Sequence, residues 1–134
     1  MKNKKGFTLI ELMLVVVIIG VLVSMVVPRL AGRSEEARIA AVKADINANI
    51  AVALDLYELD TGKYPATEEG LDALLAKPAS AVKWKGPYLK KQPLDPWGRR
   101  YMYKFPGDRA GDYDLYSCGP DGAEGGADDI VNWQ

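Results

Sequence analysis

Lys2-Asn3-Lys4-Lys5-Gly6-Phe7-Thr8-Leu9-Ile10-Glu11, with the apolar run from Leu12 to Val27 behind it, is the stretch that decides how this chain is built. A basic leader ends in glycine, a phenylalanine follows, and one carboxylate stands near the start of an apolar helix. Between Phe7 and Pro28, Glu11 is the only ionisable side chain. As a helix this segment measures about 33 Å at 1.5 Å per residue, which matches a hydrocarbon core of roughly 30 Å. The preceding lysines place the N-terminus in the cytoplasm and the chain beyond Arg29 outside. A carboxylate in such a segment is costly and usually paired, so Glu11 is a functional candidate. If the bond after Gly6 is cut, Phe7 gains an ammonium that can meet Glu11 of its own chain or of a neighbour.

A secretory signal peptide fits less well. The apolar run exceeds the usual length of about 7–15 residues, it carries an acid, and no small-x-small site precedes Pro28. A plain membrane anchor with Glu11 at the interface stands level with the paired-assembly reading on physical grounds, because a charge costs little near the membrane edge.

The stretch Gly6-Phe7-Thr8-Leu9-Ile10-Glu11 resembles the prepilin cleavage motif of type IV pilins and type II secretion pseudopilins. The resemblance implies that prepilin peptidase cuts between Gly6 and Phe7 and methylates the new Phe7 amine. It also implies an assembly role for Glu11, which would neutralise the N-terminal amine of a neighbouring subunit.

The 134 residues carry 17 bases and 18 acids; without the three leader lysines, 14 bases face the same acids, for a net charge of −4. That balance argues against a nucleic acid partner, which calls for a basic patch. Histidine is absent, which removes the commonest general base and metal ligand. Cys118 is the sole cysteine, so one chain cannot form a disulfide. After leader and span, about 100 residues remain for one modest domain.

Helical signals continue past Pro28 and Gly32. Ser34-Glu35-Glu36 has the hydroxyl and acids of a helical first turn. Ile39, Val42, Ile46, Ile50, Ala53 and Tyr57 then recur every three or four residues as an apolar stripe. One helix from Phe7 to about Leu59 is expected, bent or unwound at Pro28; two helices joined across Pro28–Gly32 also fit. Thr67 to Ala76 predicts a short helix with Leu71, Leu74 and Leu75 on its apolar side, stopped by Pro78. Residues 79–99 read as loop, anchored by Trp84, Tyr88, Leu89 and Trp97. Strands are predicted at Arg100–Phe105, Asp112–Cys118 and Ile130–Trp133.

Helix first and sheet last gives an α+β fold, pilin-like, with a long N-terminal helix packed on a small C-terminal antiparallel sheet. The expected segments are a cleaved leader at 1–6, a transmembrane and filament-core helix at 7–30, an amphipathic helix at 31–60, and an α+β periplasmic domain at 61–134.

Gly119 to Asp129 gathers four acids beyond Pro120 on a glycine-rich loop. Calcium takes about six to eight oxygens from a chain able to curl round it. An acidic surface turn has the same composition, and the alternating acids of an EF-hand are missing. Leu54-Asp55-Leu56-Tyr57, Tyr64 to Leu71, Asp95-Pro96-Trp97-Gly98 and Ser117 to Trp133 are similar to the general secretion pathway protein G family, the major pseudopilins of type II secretion. That resemblance implies a calcium ion (Ca2+) in the loop, where many type IV pilins have a disulfide. Carried over residue by residue, it implies side-chain ligands at Asp121 and Asp128 and backbone oxygens from Cys118, Ala123 and Gly126. Gly126 stands where some relatives have a hydroxyl residue. Asp129 would orient the loop or exchange roles with Asp128.

The function implied is a structural subunit of the type II secretion pseudopilus. It would sit in the bacterial inner membrane as a single-pass protein, N-terminus cytoplasmic and C-terminal domain periplasmic. After processing it would join a helical homo-oligomeric filament, with other pseudopilins and an inner-membrane assembly platform, that promotes export of folded proteins. Assembly power would come from a cytoplasmic ATPase, as this chain has no phosphate-binding loop. A type IV pilin for adhesion, motility or DNA uptake is the nearest alternative. An enzyme is not expected, since no serine lies in a nucleophile elbow; Glu68 and Glu69 read as solvated helix-start charges.

Overall fold

The computed structural model describes residues 6–134; Met1–Lys5 of the expected leader and the side chains of residues 27–31 lie outside that description. The chain forms two compact units, one ending at Ala37 and one running from Arg38 to Gln134. The break falls inside the 31–60 segment.

Helix α1 spans Leu9–Ala44. Its backbone is helical through Pro28 and Gly32, so one helix forms there rather than two. Ser34-Glu35-Glu36 therefore lies within the helix and starts nothing. The departure from α geometry comes later, as a π segment at Asp45–Asn49, before α2 at Ile50–Thr61. The stripe explains it. Val42, Ile46 and Ile50 are separated by two successive steps of four, which would drift about 80° round an ideal α-helix. A wider turn absorbs that drift, and all three side chains end fully buried. Asp45 holds the segment from outside, accepting from Asn49 Nδ2 at 2.7 Å and from the Tyr101 hydroxyl at 2.8 Å.

The stripe is the core. Val42, Ile46, Ile50, Ala53 and Tyr57 are buried as expected, and Leu54 joins them. They meet Leu71, Leu74, Tyr101, Leu115 and Ile130, while Trp84, Tyr88, Leu89 and Trp97 pack half-buried at the edge. Each large side chain so buried contributes roughly 1.5–3 kcal/mol. These contacts, rather than a two- to four-residue strand ladder, hold the domain.

The expected second helix is a single 3-10 turn, Gly70–Leu74. Two features stop an α-helix there. Glu69 Oε2 accepts the Ala66 N–H at 3.1 Å, and Gly70 takes the left-handed conformation, φ 58°. Glu69 is thus a local cap, and it also accepts from the Ser80 hydroxyl.

Strands β1 (Met102–Lys104), β2 (Asp114–Ser117) and β3 (Ile130–Val131) form an antiparallel sheet in the order β1-β2-β3. Tyr103 faces Leu115 and Ser117 faces Ile130. All are shorter than predicted. Asn132 takes over where β3 stops: its Oδ1 accepts the Leu115 N–H at 3.0 Å, and its own N–H donates to the Leu115 carbonyl at 3.1 Å.

Strict alternation would turn Asp114 outward, yet it is buried. The turn after β1 wraps it: the N–H groups of Asp108, Arg109 and Ala110 donate to its carboxylate at 2.9, 3.1 and 2.7 Å. Burial pushes its carboxyl pKa up, but these amides and the Arg109 charge outweigh burial and hold it below the usual range. A depressed folded-state pKa stabilises above the unfolded value and loses that contribution as pH falls through the folded one. Asp114→Asn is therefore expected to cost about 1–3 kcal/mol at pH 7. It should also lose less further stability than the parent on acidification; thermal melts at pH 7 and pH 3 check both.

Candidate functional site

At the helix start, every described residue from Gly6 to Val26 is exposed. Among the described residues, Leu9–Val26 is long and apolar enough to cross a membrane. Its two polar side chains are both answered within the helix. The Ser24 hydroxyl donates to the Val21 carbonyl at 2.7 Å. Glu11 and Thr8 form a capping box: the Thr8 N–H and hydroxyl donate to Glu11 Oε2 at 2.9 and 3.0 Å, and the Glu11 N–H donates back to Thr8 Oγ1 at 3.3 Å. Glu11 thus has a local job that the charge argument passed over. Gly6 and Phe7 precede the helix and are exposed, an arrangement open to a protease.

The C-terminal loop is hung from a chain of polar contacts that begins far away in sequence. Asp95 is buried and accepts the N–H groups of Trp97 and Arg99 at 3.1 and 2.8 Å, which closes the Asp-Pro-Trp-Gly turn. Its other oxygen takes the Ser117 hydroxyl at 2.8 Å, and Ser117 Oγ accepts the Gly119 N–H at 3.2 Å. Arg99, so placed, donates through Nη1 to the Gly119 carbonyl at 2.7 Å and reaches the Pro120 carbonyl at 3.4 Å. Sequence reasoning named the turn only as a family marker and missed Arg99, Asp95 and Ser117 as supports.

Within the loop the predicted residues converge unevenly. A Cβ built on Gly126 would lie 2.6 Å from Asp128 Oδ1, 3.5 Å from Asp121 Oδ2 and 3.6 Å from the Ala123 carbonyl oxygen. Three hard oxygens therefore face one small space beside Gly126. Asp121 Oδ1 accepts the Ala123 N–H at 2.8 Å, and the Asp121 N–H donates to Asp128 Oδ2 at 3.2 Å. The Gly126 carbonyl accepts the Asp129 N–H at 3.5 Å. Asp129 Oδ2 takes the Gly125 N–H at 2.8 Å, while its Oδ1 is buried with no donor. Glu124 is engaged elsewhere, by the Tyr116 hydroxyl.

Among the described residues no three acidic or cysteine side chains gather as ligands. The fit to calcium rests instead on mixed carboxylate and carbonyl oxygens, the donor set that ion takes. The undonated Asp129 oxygen in the same loop points the same way, since buried oxygens are rarely left without a positive partner. Cys118 follows β2 directly; burial first, then the Asp129 and Glu124 charges, push its thiol pKa up. That thiol stays protonated and is a poor nucleophile.

Likeness to known proteins extends over 98% of the chain. The family profile described as type II secretion system (T2SS), protein G matches residues 29–133, and the prokaryotic N-terminal methylation motif matches residues 1–27. The type II secretion system core protein G of Pseudomonas aeruginosa is 50% identical over 139 residues, covering 98% of this chain and 96% of that one. The protein of the same name from Escherichia coli K12 is 48% identical, covering 98% and 92%. A crystal structure of the major pseudopilin from the type 2 secretion system of enterohaemorrhagic Escherichia coli superposes with a TM-score of 0.70. It has 38% identity and covers 78% of this chain and 89% of that one.

Arg99→Ala removes a charged donor from two loop carbonyls and is expected to cost about 1.5–3 kcal/mol. Hydrogen exchange should quicken at Gly119–Asp129 and not at Val42–Tyr57. Uniform quickening in both regions would refute a local role.

Proposed function

The chain belongs to the protein G family of the type II secretion system, and from that membership we propose that it is the structural subunit of a pseudopilus that promotes export of folded proteins across the outer membrane. Likeness over 98% of the chain, joined to an apolar, exposed N-terminal helix, is the observation that carries the reading. The chain waits in the inner membrane with its leader in the cytoplasm and its domain in the periplasm. Prepilin peptidase cuts between Gly6 and Phe7 and methylates Phe7. The apolar helices then bundle as the filament core, where an unpaired carboxylate is costly.

Glu11 is suited to that moment. In the unprocessed chain it caps its own helix through Thr8. Processing adds an ammonium one residue before Thr8 on every subunit, and Glu11 becomes the counter-ion for a neighbour's. The pilin alternative is not favoured, since the relatives and the structural neighbour are named for secretion. We assign the chain no catalytic role.

In the C-terminal loop, Asp121, Asp128 and the Ala123 carbonyl would hold calcium, with Cys118 and Gly126 as further backbone donors and Asp129 orienting or joining them. The ion would supply positive charge to the clustered acids. The loop's own part is to keep those oxygens apart and pointed inward, which Arg99 and the Asp95–Ser117 contact do from behind.

Mass spectrometry of membrane-extracted protein should show loss of Met1–Gly6 and a methyl on Phe7; an intact leader would sink the proposal. Glu11→Ala should insert normally yet assemble poorly, as scored by filament yield. For calcium, melting of the full chain in detergent should rise on adding the ion, by about 2.7 kcal/mol in stability at a hundredfold excess over Kd. Asp121→Ala or Asp128→Ala should abolish that response.

A further inference from the structure

Helix α2 is apolar on two sides. One face is the buried stripe. On the other, Val52, Leu56 and Leu59 stand at i, i+4 and i+7, which places them in one row, and they are 56, 45 and 80% exposed. Three of the four acids from Asp45 to Asp60 are held within their own domain: Asp45 by Asn49 and Tyr101, Asp55 by the Tyr64 hydroxyl at 3.1 Å, Asp60 by Tyr88 and Lys85. No base lies between Lys43 and Lys63.

The row leads into a cleft. Leu59 lines a space of about 390 Å³ whose opposite side includes Val82, 86% exposed. Among the described residues from Arg38 onward, Leu59 and Val82 are the two most exposed large aliphatic side chains, and both line this cleft. Lys63 and Lys83 rim it together with Asp60, whose charge is met by Lys85 at 3.4 Å. An exposed apolar centre with a polar rim marks a protein contact.

Resting on the filament reading, we propose that this row and cleft are where a second copy of this chain docks. Charge selects that occupant. Residues 73–94 carry five lysines and no acid, whereas residues 110–134 carry no base and six acids, of which Asp112, Asp121 and Glu124 are exposed. One copy therefore supplies both halves of a complementary pair, and its acidic C-terminal part meets the lysine rim of the next. Because the two surfaces differ, the contact is heterologous, and repeating it yields an open helical assembly rather than a closed dimer.

The test uses full-length protein assembled in cells that carry prepilin peptidase and the secretion machinery. Leu59→Asp with Val82→Asp changes only exposed side chains, so the domain should melt as the parent does. Filament yield should fall about tenfold or more. Filaments grown from mixed 14N and 15N chains, treated with a zero-length amine–carboxylate crosslinker, should give mixed-isotope links from Lys63 or Lys83 to residues 110–134. Parent filaments with the double variant assembling equally well would overturn the docking surface while sparing the filament reading. Links from these lysines only to other proteins would do the same. A parent chain that forms no filament would overturn both.

Discussion

One face of a helix must be kept from water, and this chain has little regular structure with which to do it. Val42, Ile46, Ile50, Ala53, Leu54 and Tyr57 need a cover, and the sheet over them has strands of three, four and two residues. The cover is completed by loops that carry aromatic side chains, Trp84, Tyr88 and Trp97, onto the edge of the core. Loops offer no ladder to satisfy their own amides, and a buried unpaired amide costs about as much as the burial of a side chain gains.

Carboxylates answer that difficulty repeatedly. Glu69 serves the Ala66 amide, Asp95 those of Trp97 and Arg99, and Asp114 three in a row. Charge-assisted bonds of this kind are about twice as strong as neutral ones. The same device reaches into the C-terminal loop at Asp121 and Asp129. The loop is thus an extension of the packing scheme, with its acids divided between holding the backbone and facing the space beside Gly126.

The apolar stripe was legible because helical periodicity is local and survives any tertiary arrangement; all its members are buried or half-buried. The π segment was not, since spacings of three and four suit an α-helix as well. Strand ends were overdrawn because alternation continues in the sequence past the point where pairing stops, and Asp114 defied it because three amides make an inward carboxylate affordable. Asp95 meets Ser117 across 22 residues and Arg99 meets Gly119 across 20, distances no local pattern spans. The Thr8–Glu11 box is the opposite case. The threonine-x-x-glutamate spacing was in plain view, and attention to the charge concealed the cap.

Asn132 imposes an order in time. Its side chain and backbone complete the pairing of β2 at Leu115, 17 residues earlier, and Leu115 is a fully buried member of the core. Tyr101 must likewise wait to reach Asp45, 56 positions earlier. A chain emerging from its N-terminus would leave part of the helix stripe uncovered until Tyr101, Leu115 and Ile130 had followed. Any chaperone that shields the nascent segment beyond Arg38 would have to remain engaged until that late closure.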